Sequence, residues 1–458
     1  MINTNAGAGA VNSREIILDI LMQVMEQGDL CHITISQALK KYQYLEKQER
    51  SFIKRTAEGT IEEQIYLDYV INKFSSIAVK KMKPVIRNIL RMAVYQIIFM
   101  DSVPNSAACD EAVKLTKKRG FFTLKGFVNG LLRNIDRHLI EIELPAKKED
   151  VTYYYSIKYS MPEWLVKKWI KSYGEEQTDN MLSEFLKESK VSVRCNTSLK
   201  SEEDIRRMLE EENVICEPAD IGVPAYYISG YDYIESLSAF REGYIQVQDI
   251  SSMLVGKIAD PAQDNYVIDV CAAPGGKSLH IADLLKDTGC VEARDLTMQK
   301  VMLIKENIER CHANNVVAVV KDALELDETA IDKADIVICD LPCSGLGIIG
   351  RKADIKYKVY EEKIEQLANL QREILKVVQN YVKPGGCLIF STCTVNQTEN
   401  DENVRWFEEN YGFELESIEE YLPEKFRNRT GDRGYIQIFP KAGENDGFFI
   451  SKFRRKKV

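Results

Sequence analysis

The sequence predicts a multidomain chain: an all-α bundle, then a small α+β subdomain, then an α/β domain built on a parallel sheet. Three observations predict it. At 458 residues the chain is too long for one ordinary domain. From about residue 13 to 140 the apolar residues recur at helical spacing with almost no strand signal. From about residue 245 onward, short continuous apolar runs alternate with amphipathic helices, the pattern of a parallel sheet covered on both faces.

The bundle comes first. Ile16, Ile17, Ile20, Leu21 and Val24 follow a candidate Ser13 cap, and helical patterns continue through "VIRNILRMAVYQIIFM", "NSAACDEAVKLTKK" and "FVNGLLRNIDRHL". A charged link, "ELPAKKEDVTYYYSIKYSMPEW", leads to helices around 163–188 and 201–212, which alternate with the strand-like "VSVRCN" and "AYYISG". The final domain carries the runs "YVIDVCAA", "GCVEARD", "VVAVVKD", "ADIVICD", "GCLIFSTC" and "GFFISKF". The expected boundaries are 1–145 for the bundle, 146–245 for the subdomain and 246–458 for the α/β domain.

Composition narrows the class. With 45% hydrophobic and 29% charged residues, this is the make-up of a soluble globular protein. No apolar stretch approaches the roughly 20 residues of a membrane span, and "MINTNAGAGAVNSRE" lacks the features of a secretory signal. Eleven scattered cysteines without a C-x-x-C read as reduced thiols, so the expected location is the cytoplasm. The dispersed histidines, His32, His138, His280 and His312, argue against a metal site, and the chain is expected to be a monomer. A net charge of −9 conceals basic clusters. Lys114, Lys117, Lys118, Arg119, Lys125, Arg133 and Arg137 stand close together beside Phe121 and Phe122, and the tail reads "KFRRKKV". Either is usually a solvated face, yet together they keep RNA binding open.

Strand ends carry the chemistry. Ligands of such sheets bind at the carboxyl ends of the strands. Asp269, Asp295, Asp322 and Asp340 end the first four runs, and "DVCAAPGGKS" places Gly275 and Gly276 in the first turn. Paired glycines admit a ligand close to the backbone, and the helix start offers free N–H groups. The turn lacks the G-x-G-x-x-G of a dinucleotide site, and acids line the crevice, which favours a positively charged nucleoside such as S-adenosylmethionine. Asp295 is placed to accept ribose hydroxyls.

Two cysteines open on the same rim, Cys343 after the fourth strand and Cys393 after the fifth. Cys195, Cys216, Cys271, Cys290, Cys311, Cys339 and Cys387 read as buried small hydrophobes. A rim pair has a chemical use. Carbon 5 of cytosine is a poor nucleophile, and a thiolate added at carbon 6 pushes electron density onto it. A base must then remove the proton from carbon 5, and an acid near the ring nitrogen, for which Asp340 is available, stabilises the adduct.

"DVCAAPGGKS", "DLPCSGLG", "KPGGCLIFSTCT", "NQTENDENV" and "NDGFFISKF", in this order, resemble the Sun/RsmB family of RNA cytosine-C5 methyltransferases. "VPNSAACDEAVKLTKK" and "GFVNGLLRNI" are similar to the NusB-like RNA-binding domain of bacterial members. The resemblance implies a NusB-like bundle, an RRM-like subdomain and a Rossmann-like class I S-adenosylmethionine-dependent domain, acting on one cytosine of 16S rRNA. It also implies Cys393 as nucleophile, Cys343 as the group assisting release, and Asp340 between cofactor and target base. The cofactor loop it implies is Cys271, Ala272, Ala273, Pro274, Gly275, Gly276 and Lys277, with Asp295 at the ribose and Asp322 at the adenine. In "GRKADIKY", Ala353 and Tyr357 depart from the family's proline and tryptophan, and Leu341 and Leu346 depart near the Pro-Cys motif, which leaves the RNA contacts open.

Three other readings stay in view: a DNA-type enzyme attacking through Cys343, a non-catalytic RNA-binding or antitermination factor, and an enzyme acting on tRNA or large-subunit rRNA.

Overall fold

The computed structural model describes residues 12–428 and 430–457. The chain forms two compact units, one made of Met1–Leu182 with Lys352–Lys358, the other of Ser183–Arg351 with Val359–Val458.

The first unit is helical. Its helices include Ser13–Met22, Cys31–Lys41, Lys47–Glu62, Gln64–Phe74, Pro84–Phe99, Asn105–Lys118 and Lys125–Arg137. Three- and four-residue spacing explains the packing: Val128, Leu131, Leu132 and Ile135 of the last helix all enter the core, where they join Ile17, Leu21, Ile53, Leu67 and Ile89. Asn12, not Ser13, caps the first helix, its side chain accepting from Arg14 N at 2.9 Å. Ser13 is already helical. The charged link is not a plain linker either. It contains the helix Val151–Lys158, capped by Asp150 accepting from Tyr153 N at 2.9 Å, with Tyr155 and Ile157 buried.

The "GRKADIKY" stretch supplies the least expected feature. Although it follows the Pro-Cys motif in sequence, residues 352–358 fold with the first unit. Asp354, 2% exposed, accepts from Cys31 N at 3.1 Å and so caps a helix whose own N-cap, Leu30, has no suitable side chain. Tyr357 donates to Glu62 O at 3.0 Å, and Lys358 donates to Asp29 O and Asp354. Lys356 is 1% exposed, and burial pulls its ammonium down to about 8 against the attraction of Glu62 and Glu63. Asp354→Ala is therefore expected to loosen helix Cys31–Lys41 by about 1–2 kcal/mol. Amide exchange across that helix, measured in the full chain, should accelerate roughly 5- to 30-fold; unchanged exchange would remove Asp354 as its cap.

The second unit contains two sheets. The smaller one is antiparallel, with β1 (Val191–Cys195), β2 (Ile215–Pro218), β3 (Ala225–Ser229) and β4 (Ile245–Val247) in the order β2-β3-β1-β4. The larger contains β5 (Tyr266–Asp269), β6 (Cys290–Asp295), β7 (Val316–Val320), β8 (Ala334–Asp340), β9 (Val382–Thr392), β10 (Phe413–Leu415), β11 (Tyr435–Ile438) and β12 (Phe448–Arg455). Its order is β10-β12-β9-β8-β5-β6-β7, with β11 also paired to β12. β5 to β9 are parallel, as the apolar runs predict. The last run is not. β12 lies antiparallel against β9, because it is reached through a hairpin-like return from β11 rather than a crossover helix.

The small sheet docks firmly. Arg194 of β1, fully buried, pairs with Asp283 at 3.1 Å, and Arg310 donates to Phe240 O and Ile245 O. A Cβ at Gly243 would stand 2.0 Å from Arg310 O, so only glycine permits this approach.

The basic clusters are partly ion-paired within the fold. Lys114 pairs with Glu111, Lys118 with Glu15, Arg119 with Asp19 and Arg133 with Asp110. Of the aromatic pair only Phe122 is exposed, under the Lys125 ammonium at 3.8 Å, whereas Phe121 packs on the core. The supposed tail is mostly strand β12, with Lys452 and Arg454 paired to Glu416 and Arg455 to Asp332. Val458 lies outside the described residues.

Candidate active site

The carboxyl ends of β5, β8 and β9 meet the end of β4 around a cavity of about 240 Å³. Cys271, Ala272, Ala273, Pro274, Gly276 and Lys277 line it, with Asp269, Asp340, Cys393, Phe448, Gln248, Asp249 and Asp446. Asp269, Asp295 and Asp340 end their strands as the sequence predicts, while Asp322 lies two residues beyond β7.

The cofactor loop is built from left-handed backbone and paired acids. Gly275, at φ 106°, opens helix Gly276–Leu285. Asp295, 3% exposed, accepts from Ala273 N at 3.0 Å, Leu296 N at 2.8 Å and Lys300 at 3.0 Å. It thereby holds the turn while remaining at the mouth of β6. Asp322 accepts from Leu324 N at 2.9 Å and lines a separate recess with Val270 and Tyr381. Leu296 follows Asp295, Val320 is the register partner of Asp295, and Leu324 lies two residues after Asp322; they are exposed by 57%, 41% and 45%.

Lys277 and Asp340 form the electrostatic centre. Lys277 Nζ donates to Asp340 Oδ2 at 2.6 Å, and Ser391, the register partner of Asp340 across β8 and β9, donates to Oδ1 at 2.8 Å. Burial alone would depress the Lys277 ammonium, but Asp340 first, then Asp269 and Cys393, hold it above the ordinary lysine value. A full positive charge thus sits beside Cys393.

Cys343 and Cys393 face each other with sulfurs 3.3 Å apart, and both are free thiols. Hydrogen bonding to Cys393, then burial, pushes the Cys343 thiol well above the ordinary range, and the Glu399 carboxylate adds to it.

What holds the two loops in register is a buried polar network that the sequence reading did not assign. Glu399, fully buried, accepts from Ser344 N at 2.8 Å, Ser344 Oγ at 2.5 Å, Asn396 at 2.9 Å and Gln371 at 3.3 Å. Ser344 Oγ lies 2.7 Å from Thr394 Oγ1, and Gln371 donates to Pro342 O at 2.9 Å. Asn400 accepts from Thr392 at 2.6 Å and donates to Thr394 O at 3.0 Å. Ser344 adjoins Cys343 in the chain, and Thr392 and Thr394 adjoin Cys393. Gly347 N donates to Cys393 O at 3.0 Å, and a Cβ there would stand 1.9 Å from Gly447 O, so a third loop closes on the pair. Its signal was the acid of "NQTEN", an uncharged-polar run interrupted by one glutamate.

A second unassigned cluster closes the far wall. Arg351 bridges Asp446 at 2.8 Å and Asp249 at 3.2 Å, both of them cavity residues. Among the other cysteines, Cys195, Cys311, Cys339 and Cys387 are buried as expected; Cys216, Cys271 and Cys290 are only half-buried. Among the described residues no cluster of metal ligands occurs, and no helix is long and apolar enough to cross a membrane.

Family models match the chain along most of its length. Residues 257–454 match the family described as 16S rRNA methyltransferase RsmB/F, residues 11–137 the NusB family, and residues 161–225 the ferredoxin-like domain of RsmF/B-like methyltransferases. A probable ribosomal RNA small subunit methyltransferase B of Bacillus subtilis is 36% identical, over 97% of this chain and 98% of its own length. The corresponding Synechocystis protein is 29% identical over 97% of this chain and all of its own. The crystal structure of PH0851 superposes with a TM-score of 0.80 at 26% identity, covering 97% of this chain and 99% of that one. A methyltransferase homolog protein from Pyrococcus horikoshii, 23% identical with a TM-score of 0.58 over 67% of this chain and 99% of that one, shares the fold.

Proposed function

The chain belongs to the RsmB/F family of 16S rRNA methyltransferases, and from that premise we propose that it methylates carbon 5 of one cytosine in 16S rRNA through a covalent adduct with Cys393. The 3.3 Å approach of the two rim sulfurs beside the Lys277 ammonium is the observation that carries this reading.

S-adenosylmethionine is the cofactor we assign, and when bound it supplies a sulfonium methyl group. The residues fit it. Acids line the crevice, and Leu296, Val320 and Leu324 offer exposed apolar surface beside Asp295 and Asp322, suited to an adenosine. We assign residues 271–277 to the cofactor loop, Asp295 to the ribose and Asp322 to the adenine side.

Cys393, as the thiolate, is the attacking group we assign. That thiolate forms a bond to carbon 6 of the cytosine, and the π electrons of the ring move towards carbon 5 and the ring nitrogen. Asp340, fixed by Lys277 and Ser391, is placed to orient the ring's polar edge. Once carbon 5 bears the new methyl group, a base takes its proton, the freed pair forms the C5=C6 double bond, and the S–C6 bond breaks, returning its own pair to the Cys393 sulfur. Cys343, adjacent to that leaving sulfur, is the group we assign to the release. The target base must leave its stack to reach this rim, so it is either flipped or already displayed in a loop. The helical domain and the small sheet are the parts we assign to holding the RNA, in the cytoplasm.

The direct test offers the protein unmodified 16S rRNA, 23S rRNA and tRNA with methyl-labelled cofactor, and digests the products to nucleosides. Labelled 5-methylcytidine from 16S rRNA alone is the expected result. Label in another nucleoside would overturn the carbon-5 chemistry, and label in tRNA or 23S rRNA alone would move the substrate.

A further inference from the structure

Glu399 is a buried carboxylate, and no lysine or arginine pairs with it among the described residues. Neutral donors surround it instead. Ser344 N and Gln371 Nε2 reach one oxygen, Ser344 Oγ and Asn396 Nδ2 the other. A glutamine could not meet this shell, because its amide nitrogen is a donor and accepts nothing. The position therefore demands a carboxylate. Burial raises that carboxyl above its ordinary value, and the hydrogen bonds from Ser344, Asn396 and Gln371 pull the other way. An uncompensated buried charge is costly, and residues kept at such a cost cluster at functional sites.

The donors are not shared evenly between the two cysteines. Ser344 follows Cys343 and gives Glu399 two hydrogen bonds, at 2.8 and 2.5 Å. Gln371 bonds to Glu399 and also donates to Pro342 O at 2.9 Å, on the other side of Cys343. Gln371 is itself fixed, since its oxygen accepts from Asn403 at 2.7 Å and Asn403 accepts from Arg372 at 2.7 Å. Cys343 is thus clamped from both sides by groups that end on one carboxylate. The Gly345 N–H bonds to the Cys343 sulfur, so the direction of that sulfur depends on the same short turn.

Cys393 is held by other means. Its carbonyl accepts from Gly347 N at 3.0 Å, and Asn400 ties down Thr392 and the Thr394 carbonyl. From Glu399 the tie to a neighbour of Cys393 runs through Ser344 Oγ and Thr394 Oγ1, 2.7 Å apart. Loss of the carboxylate would free Cys343 and leave Cys393 supported.

We propose that Glu399 is a positioning residue for release: through Ser344 and Gln371 it holds the Cys343 sulfur against the departing Cys393 sulfur. This rests on the covalent mechanism above and deepens it. In release, carbon 5 gives its proton to a base, the freed pair forms the C5=C6 bond, and the S–C6 pair returns to the Cys393 sulfur. Attack by Cys393 comes earlier and does not use the clamp.

The test follows Glu399→Gln in the full chain, with unmodified 16S rRNA and methyl-labelled S-adenosylmethionine. Rapid quenching reads adduct formation in the first turnover, and steady-state kinetics reads product release. Adduct formation is expected to stay within about threefold of wild type while kcat falls roughly 10- to 100-fold. Covalent protein–RNA complex should accumulate on denaturing gels. In a Cys343→Ala background the same substitution should add less than about twofold to the slowing, because the two residues act as a unit. Ser344→Ala, which removes one bond of the clamp, should slow release about three- to tenfold and serves if Glu399→Gln fails to fold. Equal slowing of adduct formation and release, or losses that add fully with Cys343→Ala, would reduce Glu399 to a structural group and overturn the proposal alone. No adduct in either wild type or Cys343→Ala would overturn the covalent mechanism and the clamp together.

Discussion

Cys343→Ala is expected to accumulate a covalent protein–RNA complex that survives denaturing electrophoresis, and Cys393→Ala to form none. Methyl transfer by Cys393→Ala should fall by roughly 10⁴-fold or more, since removing a nucleophile removes the pathway it opens. The prediction follows from an asymmetry in the structure rather than from the motifs alone. Cys393 lies beside the Lys277 ammonium, whereas Cys343 is kept protonated by its partner, by burial and by Glu399. The reverse pattern, a band in Cys393→Ala alone, would transfer the attack to Cys343 and revive the DNA-type reading.

Lys277→Gln is the second change with a large expected effect. Removing the ammonium leaves Asp340 without its 2.6 Å partner and the neighbouring sulfur without its counter-charge. A loss of about 10²–10³-fold in kcat/KM is expected, the range for deleting one preorganised electrostatic group. Covalent-complex formation in a Lys277→Gln/Cys343→Ala double variant should slow in parallel. Unchanged adduct formation, with only the cofactor's KM raised, would restrict Lys277 to holding the cofactor.

Much of this was legible in the chain itself. Continuous apolar runs ending in acids gave β5, β6 and β8 and put Asp269, Asp295 and Asp340 at their carboxyl ends, and the fifth run delivered Cys393 to the same rim. The direction of β12 was not legible, since an apolar strand alternates in the same way whichever way it runs. Nor was the Glu399 network, because sequence shows polar residues but not that they are buried, and polar residues beside an active-site loop read as solvated. The ion pairing of the basic clusters was hidden for a related reason. Their counter-charges, Glu15, Asp19 and Glu416, lie far away in sequence and meet them only in the fold.

The segment 352–358 changes what it means to take this protein apart. The chain passes between the two units at 182/183, 351/352 and 358/359, so its division in space is not a division in sequence. A single cut after residue 182 would yield an N-terminal fragment whose helix Cys31–Lys41 has lost the carboxylate that caps it, and a C-terminal fragment carrying Lys356 and Tyr357 without the partners that bury them. The severed pieces would behave as a split protein, each holding what completes the other. Threading of this kind makes the helical unit an integral part of the enzyme, one that evolution or an engineer can exchange only together with seven residues from the heart of the other sequence.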